Sequence, residues 1–180
     1  MARTDALRAL QTRLAERMEQ VRSEPAARSW LAVDCGGQGM LFPLQEAGEI
    51  FALGTLVPVP HTQPWFSGVV NLRGGVCTVV DLAAFLGLRQ GGAAERPATA
   101  RLVAFNTSLG VNGALLVDRL EGLRHANDMQ VDDESAGQAA DSAARPAFAA
   151  ARWRDVGGRI WQELSLAALA RLPQFLAITG

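Results

Sequence analysis

Two periodicities of apolar residues divide the chain. In residues 4–21 large apolar side chains recur at steps of three and four, which predicts an amphipathic helix within an N-terminal region spanning residues 1–28. The stripe consists of Leu7, Leu10, Leu14, Met18 and Val21. Arginine and glutamate cover the opposite face, and Pro25 ends the helix. The stripe must therefore pack on its own domain or on another protein.

From residue 29 onward the helical period gives way to short apolar runs rich in Val, Leu and Phe. Turn residues interrupt these runs every eight to twelve positions or so, which is typical of an all-β barrel or sandwich. The predicted strands cover residues 29–34, 39–44, 49–57, 66–72, 76–80, 101–106, 111–117, 119–123, 148–156 and 159–164.

Glycine pairs predict two hairpins. Gly36 and Gly37 can adopt the positive φ angles of a tight turn between the first two strands. The sequence Arg73-Gly74-Gly75 joins two apolar runs and predicts the clearest hairpin in the chain. The prolines at positions 58 and 60 lack the amide donor of a central strand, so an edge or a connection belongs there.

Segments without a strand pattern separate these runs. Residues 81–86 predict one helical turn capped by Asp81, and residues 165–172 predict a short C-terminal helix that Ser165 caps and Pro173 ends. Residues 87–100 predict a loop or subdomain boundary. The acidic, Ala- and Ser-rich residues 128–145 predict an exposed, mobile loop.

The length of 180 residues corresponds to one ordinary domain. Two β blocks, at about residues 29–86 and 100–164, are each too small to bury much surface alone. We therefore expect a single domain over residues 29–180, in which two small barrels share a core and can exchange strands.

Composition excludes several classes of function. The chain is 49% hydrophobic, 19% charged and of net charge −1, which indicates a globular protein. No apolar run is long enough to span a bilayer, and the N-terminus lacks the pattern of a secretion signal, so a cytoplasmic protein is expected. The chain has no lysine, which excludes Schiff-base chemistry and a GK[ST] phosphate loop. Cys35 and Cys77 are expected to be reduced, buried thiols.

No set of residues predicts an enzyme, a cofactor site or a metal site. The chain has no GxSxG motif, and its only histidines are His61 and His125. The acids Asp128, Asp132, Asp133 and Glu134 miss the spacing of a calcium loop. A barrel that binds nucleic acid or a small ligand stays as an alternative, although the basic residues are scattered and the net charge is slightly negative.

Arg73 is the unusual residue of the second hairpin. Asn71 and the glycines have a structural explanation in a turn, because they accept left-handed backbone geometry, whereas Arg73 has none. Arg73 is therefore either a solvated surface group or a guanidinium paired with a carboxylate. Glu49 is the nearest candidate for that carboxylate by strand order.

The residues around this hairpin resemble the CheW-like adaptor family. Residues 48–88 contain a Glu-Ile pair, a proline before an aromatic residue, the sequence GVVNLRG and a strand ending in Val-Asp-Leu. Residues 113–123, GALLVDRLEGL, resemble the family's second recurrent segment. The N-terminal helix, Pro64-Trp65 and the C-terminal sequence Pro173-Gln174-Phe175-Leu176 are similar to adaptors of type IV pilus chemosensory systems, the PilI type.

This resemblance implies an all-β fold of two small SH3-like five-stranded barrels on a shared core. It implies a non-catalytic cytoplasmic adaptor, recruited to membrane-associated receptor arrays, that couples the tip of a methyl-accepting chemoreceptor to the regulatory domain of a CheA-type histidine kinase. The pathway would control type IV pili, with flagellar chemotaxis as the alternative; nucleic acid, cofactors and membrane insertion are not expected. Pairing of Glu49 with Arg73 would shape the protein-binding surface. The residues expected at this surface are Glu49, Ile50, Val57, Val59, Val69, Asn71, Leu72, Arg73 and Gly74.

Overall fold

The computed structural model describes residues 28–89, 96–132 and 146–180. The predicted N-terminal helix lies outside these residues, as do parts of the predicted loops over residues 87–100 and 128–145.

The described residues form eleven strands and three short α-helices, which confirms the predicted all-β class. The strands are β1 (Ser29–Cys35), β2 (Gln38–Pro43), β3 (Ala47–Ala52), β4 (Phe66–Leu72), β5 (Gly75–Asp81), β6 (Arg101–Phe105), β7 (Gly113–Val117), β8 (Arg119–His125), β9 (Met129–Val131), β10 (Ala149–Asp155) and β11 (Ile160–Leu164). The helices are α1 (Leu82–Phe85), α2 (Leu166–Leu169) and α3 (Pro173–Leu176). None of the helices in the described ranges has the length and apolar character needed to cross a membrane.

Two sheets contain all of these strands. One has the order β8-β1-β2-β11-β10-β9 and the other the order β3-β6-β7-β5-β4. Each sheet is antiparallel apart from one parallel pair, β2 with β11 and β5 with β7. Both sheets contain strands from before and after residues 87–100, so strand pairing crosses the boundary that the sequence suggests. The barrel limits of 29–86 and 100–164 remain a prediction.

Alternation along the central strands produces three apolar cores. On β7, Ala114 and Leu116 face the interior of the five-stranded sheet, whereas Leu115 and Val117 face a core that both sheets share. On β1, Trp30 and Ala32 face a third core inside the six-stranded sheet. Because side chains alternate with a period of two, strands buried on both faces read as continuous apolar runs. This arrangement agrees with two SH3-like β units that pack on a shared core.

Both predicted hairpins are present. Gly36 and Gly37 have φ angles of 60° and 80° in the β1–β2 turn. The predicted caps are also correct: Asp81 accepts a hydrogen bond from the Ala84 amide at α1, and Ser165 accepts one from the Ala168 amide at α2.

Two expectations about irregular segments need correction. The predicted loop over residues 128–145 begins with the short strand β9, whose Met129 is 7% exposed and packs between tryptophans in the third core. The apolar signal of one methionine in an acidic, alanine-rich segment was too short to indicate a strand. At the C-terminus, α2 ends at Leu169, and Pro173 begins a further helix, because proline fits the first turn of a helix.

Candidate functional site

Arg73 and Glu49 form the predicted ion pair, with 2.7 Å between Nη1 and Oε1. Glu49 lies on β3 and Arg73 in the β4–β5 turn, although β3 and β4 are the two end strands of the five-stranded sheet. Contact between these two side chains requires the sheet to curve until its edges approach, as it does in a barrel. The side chains are 73% and 50% exposed, so the pair lies on the surface.

The β4–β5 turn holds Arg73 in an unusual backbone conformation. Its φ angle is 52°, and Gly74 follows with 82°, so both central residues are left-handed, as in a type I′ turn. We expected Asn71 to supply left-handed geometry, but it is the last residue but one of β4. Its Oδ1 accepts a hydrogen bond of 2.9 Å from the Gly74 amide. The guanidinium also lies 6.0 Å from the ring centroid of Phe51. The turn therefore directs Arg73 toward β3.

Large apolar side chains are exposed on β3, on the β4–β5 hairpin and on the connection between β3 and β4. Ile50 follows Glu49 on β3 and is 43% exposed, whereas Val57 is 58% exposed and Val59 39% exposed. Val76, opposite Asn71 in the β4–β5 register, is 65% exposed. Sequence reasoning missed Val76, although strand alternation from buried Cys77 could have found it. We call Glu49, Ile50, Val57, Val59, Arg73 and Val76 the Arg73 face.

Backbone hydrogen bonds attach the 53–65 connection to this face. The amides and carbonyls of Val57 and Val69 exchange two hydrogen bonds of 2.8 and 2.9 Å along the outer edge of β4. Val69 itself is half-buried and packs against the shared core, and Leu72 is half-buried against the core of the five-stranded sheet. The sequence placed Val57, Val59, Val69 and Leu72 at the binding surface. Of these four side chains, Val57 and Val59 are exposed, whereas Val69 and Leu72 pack inward.

A buried charge cluster supports the other end of the hairpin. Asp81, whose side chain is 2% exposed, pairs with Arg96 and with Arg89, the latter at 2.7 Å. Arg89 also contacts Asp118 at 2.6 Å, and the second oxygen of Asp118 accepts a hydrogen bond from the Gly36 amide. The cluster connects β5 to the β7–β8 junction and the β1–β2 turn. It escaped prediction because both arginines lie in a segment with no apolar period.

The electrostatics of this cluster keep Asp81 ionised. Burial alone would raise the pKa of Asp81, but hydrogen bonds from Arg89 and Arg96 lower it below its ordinary value. The same partners raise the pKa of Arg89, against the opposing effect of burial. A buried charge of this kind requires its partners, so the cluster fixes the geometry of the loops that it joins.

The remaining reactive side chains do not converge on a reaction centre. His61 is an exposed loop residue, and His125 lies 2.9 Å from the Ser29 hydroxyl at the end of β8. Cys35 and Cys77 are free and buried, as the sequence indicated, and burial raises the pKa of both thiols. Within residues 28–89, 96–132 and 146–180, no three ligating side chains are grouped as a metal site would need.

Comparisons with known proteins define the class of the chain. A profile of the CheW-like domain family matches residues 29–174. The chain belongs to the CheW-like domain family.

The relatives include proteins of two names. The chain is 29% identical over 104 residues to protein PilI of Pseudomonas aeruginosa, an alignment that covers 57% of this chain and 56% of PilI. It is 30% identical over 104 residues to the chemotaxis protein CheW of Rhizobium meliloti, covering 58% of this chain and 64% of that protein. The matched region thus spans less than two thirds of these relatives. The crystal structure of the scaffolding protein TtCheW from Thermoanaerobacter tengcongensis superposes with a TM-score of 0.61 at 16% identity, over 78% of this chain and 90% of TtCheW. The likeness to TtCheW shows a shared fold.

Proposed function

We propose that this protein is a non-catalytic adaptor that couples a methyl-accepting chemoreceptor to a CheA-type histidine kinase. Family membership supports the adaptor role. The protein would work in the cytoplasm and be held in membrane-associated arrays by its two partners.

The Glu49–Arg73 pair carries the assignment of the kinase-binding surface. An exposed ion pair contributes about 0 to 1 kcal/mol to folding, so stability gives little reason for a left-handed arginine at this position. Exposed Ile50 on β3, Val76 on the β4–β5 hairpin and Val57, which is hydrogen-bonded to β4, add apolar surface to the elements that hold the pair. This is the composition of an interface with apolar anchors and a charged group that fixes orientation. We propose that the regulatory domain of the kinase docks here, over an interface of about 1,600 Å² or less in total.

Binding of the kinase regulatory domain tests this assignment. Arg73→Ala should weaken binding by about 1 to 3 kcal/mol, a loss of about 5- to 150-fold in affinity, because a charged hydrogen bond is lost at the interface. Arg119→Ala is the matched control, since Arg119 pairs with Glu121 at 2.7 Å, is 56% exposed and lies on the other sheet. The two variants should differ in a calorimetric titration while having the same circular dichroism spectrum. Equal affinity of Arg73→Ala and the unmodified protein would overturn the assignment of the face.

Two pathways are compatible with the adaptor role. We favour control of type IV pili, because the chain is 29% identical to PilI over 104 residues and because Pro64-Trp65 and residues 173–176 resemble pilus-type adaptors. The relatives named CheW support flagellar chemotaxis as the second candidate. Deletion of the gene in its host should abolish twitching and leave swimming intact. A swimming defect with normal twitching would favour the flagellar pathway and leave the kinase-binding face unaffected.

A further inference from the structure

An open groove lies on the side of the molecule that carries α1, α3 and the start of β10. It has a volume of about 880 Å³, and its walls include Trp65, Phe85, Phe148, Leu172 and Pro173. Trp65 meets Phe85 edge to face at a centroid distance of 5.2 Å, so the aromatic wall is fixed. We call this feature the aromatic groove.

The aromatic groove is suited to aliphatic side chains. The only polar side chains in its lining are those of Gln63 and Gln174, and no charged side chain of the described residues lines it. A concave, uncharged aromatic wall of this size fits the apolar face of an amphipathic helix, which docks through side chains spaced three and four residues apart.

Among the segments outside the described residues, composition singles out one with an apolar face. Three segments lie outside the described residues: 1–27, 90–95 and 133–145. Residues 90–95 and 133–145 contain no apolar side chain larger than alanine. Residues 1–27 contain the stripe of Leu7, Leu10, Leu14, Met18 and Val21, which extends over about 21 Å at 1.5 Å per residue.

The chain can reach the groove from the point where its described part begins. Ser29 and Ser165 line the same depression beside β1, and the Ser165 amide donates a hydrogen bond to the carbonyl of Phe148 in the groove wall. Residues 22–27 connect the stripe to Arg28 and span up to about 20 Å when extended. A linker of six residues thus connects the end of the stripe to the depression beside β1. Ser165 in that depression is hydrogen-bonded to Phe148 in the wall of the groove.

We propose that residues 7–21 bind the aromatic groove of their own chain, with the leucines of the stripe against Trp65, Phe85 and Phe148. The aromatic groove and the Arg73 face have no residue in common, so binding of residues 7–21 does not depend on kinase binding. The N-terminal helix would then be an integral part of the fold, which covers apolar surface that the two sheets leave open.

Tryptophan indole resonances of the full-length protein, labelled with ¹⁵N, provide the test. All four tryptophans lie within the described residues, and only Trp65 lines the groove. Leu10→Asp combined with Leu14→Asp should shift the Trp65 resonance and leave those of Trp153 and Trp161 in place, because their indoles donate to Glu163 and Asp155. Ala9→Asp with Thr12→Asp is the control; it adds the same charge on the polar face and should change none of the four.

Photo-crosslinking gives a second measurement that does not depend on the stability of the double variant. Leu14→p-benzoylphenylalanine should form crosslinks within one chain to peptides that contain Phe148 or Leu172, and Thr12→p-benzoylphenylalanine should not. An unmoved Trp65 resonance in the double variant, together with no crosslink from position 14, would overturn the proposal. Crosslinked dimers from position 14, or a Trp65 shift that changes with protein concentration, would assign the groove to a second copy and equally overturn binding within one chain.

Discussion

Glu49 and Arg73 join strands at opposite ends of the five-stranded sheet, at 2.7 Å between Oε1 and Nη1. No ladder hydrogen bond connects these strands in the described residues. The contact therefore depends on the curvature of the sheet and on the left-handed backbone that turns Arg73 toward β3. Stability and binding should respond differently when this residue is changed.

Arg73→Gly should separate the two roles. Glycine relieves the positive φ of 52°, which costs a non-glycine residue about 1 to 3 kcal/mol. Two effects oppose this gain in stability. Glycine makes the unfolded chain more flexible, which costs about 0.4 to 1 kcal/mol, and the exposed ion pair is lost, which costs about 0 to 1 kcal/mol. The free energy of unfolding should thus fall by no more than about 1 kcal/mol in a urea titration, while kinase affinity falls as in Arg73→Ala. A loss of stability beyond about 2 kcal/mol would show that the pair holds the barrel closed.

Gly39→Ala should destabilise the six-stranded sheet. A Cβ atom at position 39 would lie 2.7 Å from Cε3 of Trp161, the register partner of Gly39 on β11. The indole has little freedom to move, since it is 1% exposed, donates to Asp155 and lies 4.3 Å beneath the Arg159 guanidinium.

We expect a loss of about 1 to 3 kcal/mol in the free energy of unfolding, as for an overpacked core. Gly75→Ala is the matched control for Gly39→Ala, because its nearest new contact is an ordinary 3.6 Å to the Leu72 carbonyl and its φ is not positive. Urea titrations of both variants check this difference, and equal losses would contradict the packing argument.

Local signals explain which parts of the fold the sequence predicts. The Gly36-Gly37 and Arg73-Gly74 turns, the Asp81 and Ser165 caps and the apolar strands depend on residues close together in the chain, and all of them are present. The parallel pairing of β5 with β7 and of β2 with β11 depends on distant segments. Because the four strands of these two pairs have similar apolar runs, nothing local indicates which of them become neighbours.

The candidate site follows the same division. The sequence and its family resemblance identify Glu49 and Arg73 as partners, and the ion pair confirms their contact. Strand order in the chain did not reveal that β3 and β4 are end strands that meet only by closure of the sheet. Val69 packs against the shared core and Leu72 against the core of the five-stranded sheet. The residue pattern of β4 alone does not show which core lies on which face of the strand.

The two thiols should be unreactive in the folded protein. Cys35 is fully buried, and burial together with the charges of Asp118 and Asp34 raises its pKa. Burial also raises the pKa of Cys77, which is 4% exposed. Since the thiolate is the reactive form, Ellman's reagent at pH 8 should modify neither cysteine within minutes, and both in 8 M urea. Rapid modification of the native protein would contradict the packing of β1 and β5.

Asp81 should make the protein acid-sensitive. Its folded-state pKa lies below the unfolded value of about 3.9, so the unfolded chain takes up the proton first as pH falls. The stability that ionised Asp81 contributes is fully present above about pH 4 and is lost as pH falls further, through the folded-state pKa.

Asp81→Asn isolates this contribution to acid sensitivity. Asparagine retains a capping side chain for α1 but removes the carboxylate that Arg96 and Arg89 share, which should cost about 3 to 5 kcal/mol at pH 7. Urea titrations at pH 7, 5, 4 and 3 should show a constant difference from the unmodified protein down to about pH 4 and a smaller one at pH 3. Asp128→Asn, which removes the same charge from an exposed position, should show no comparable difference. A gap that stays constant or widens at pH 3 would mean that Asp81 is not the group whose protonation weakens the fold.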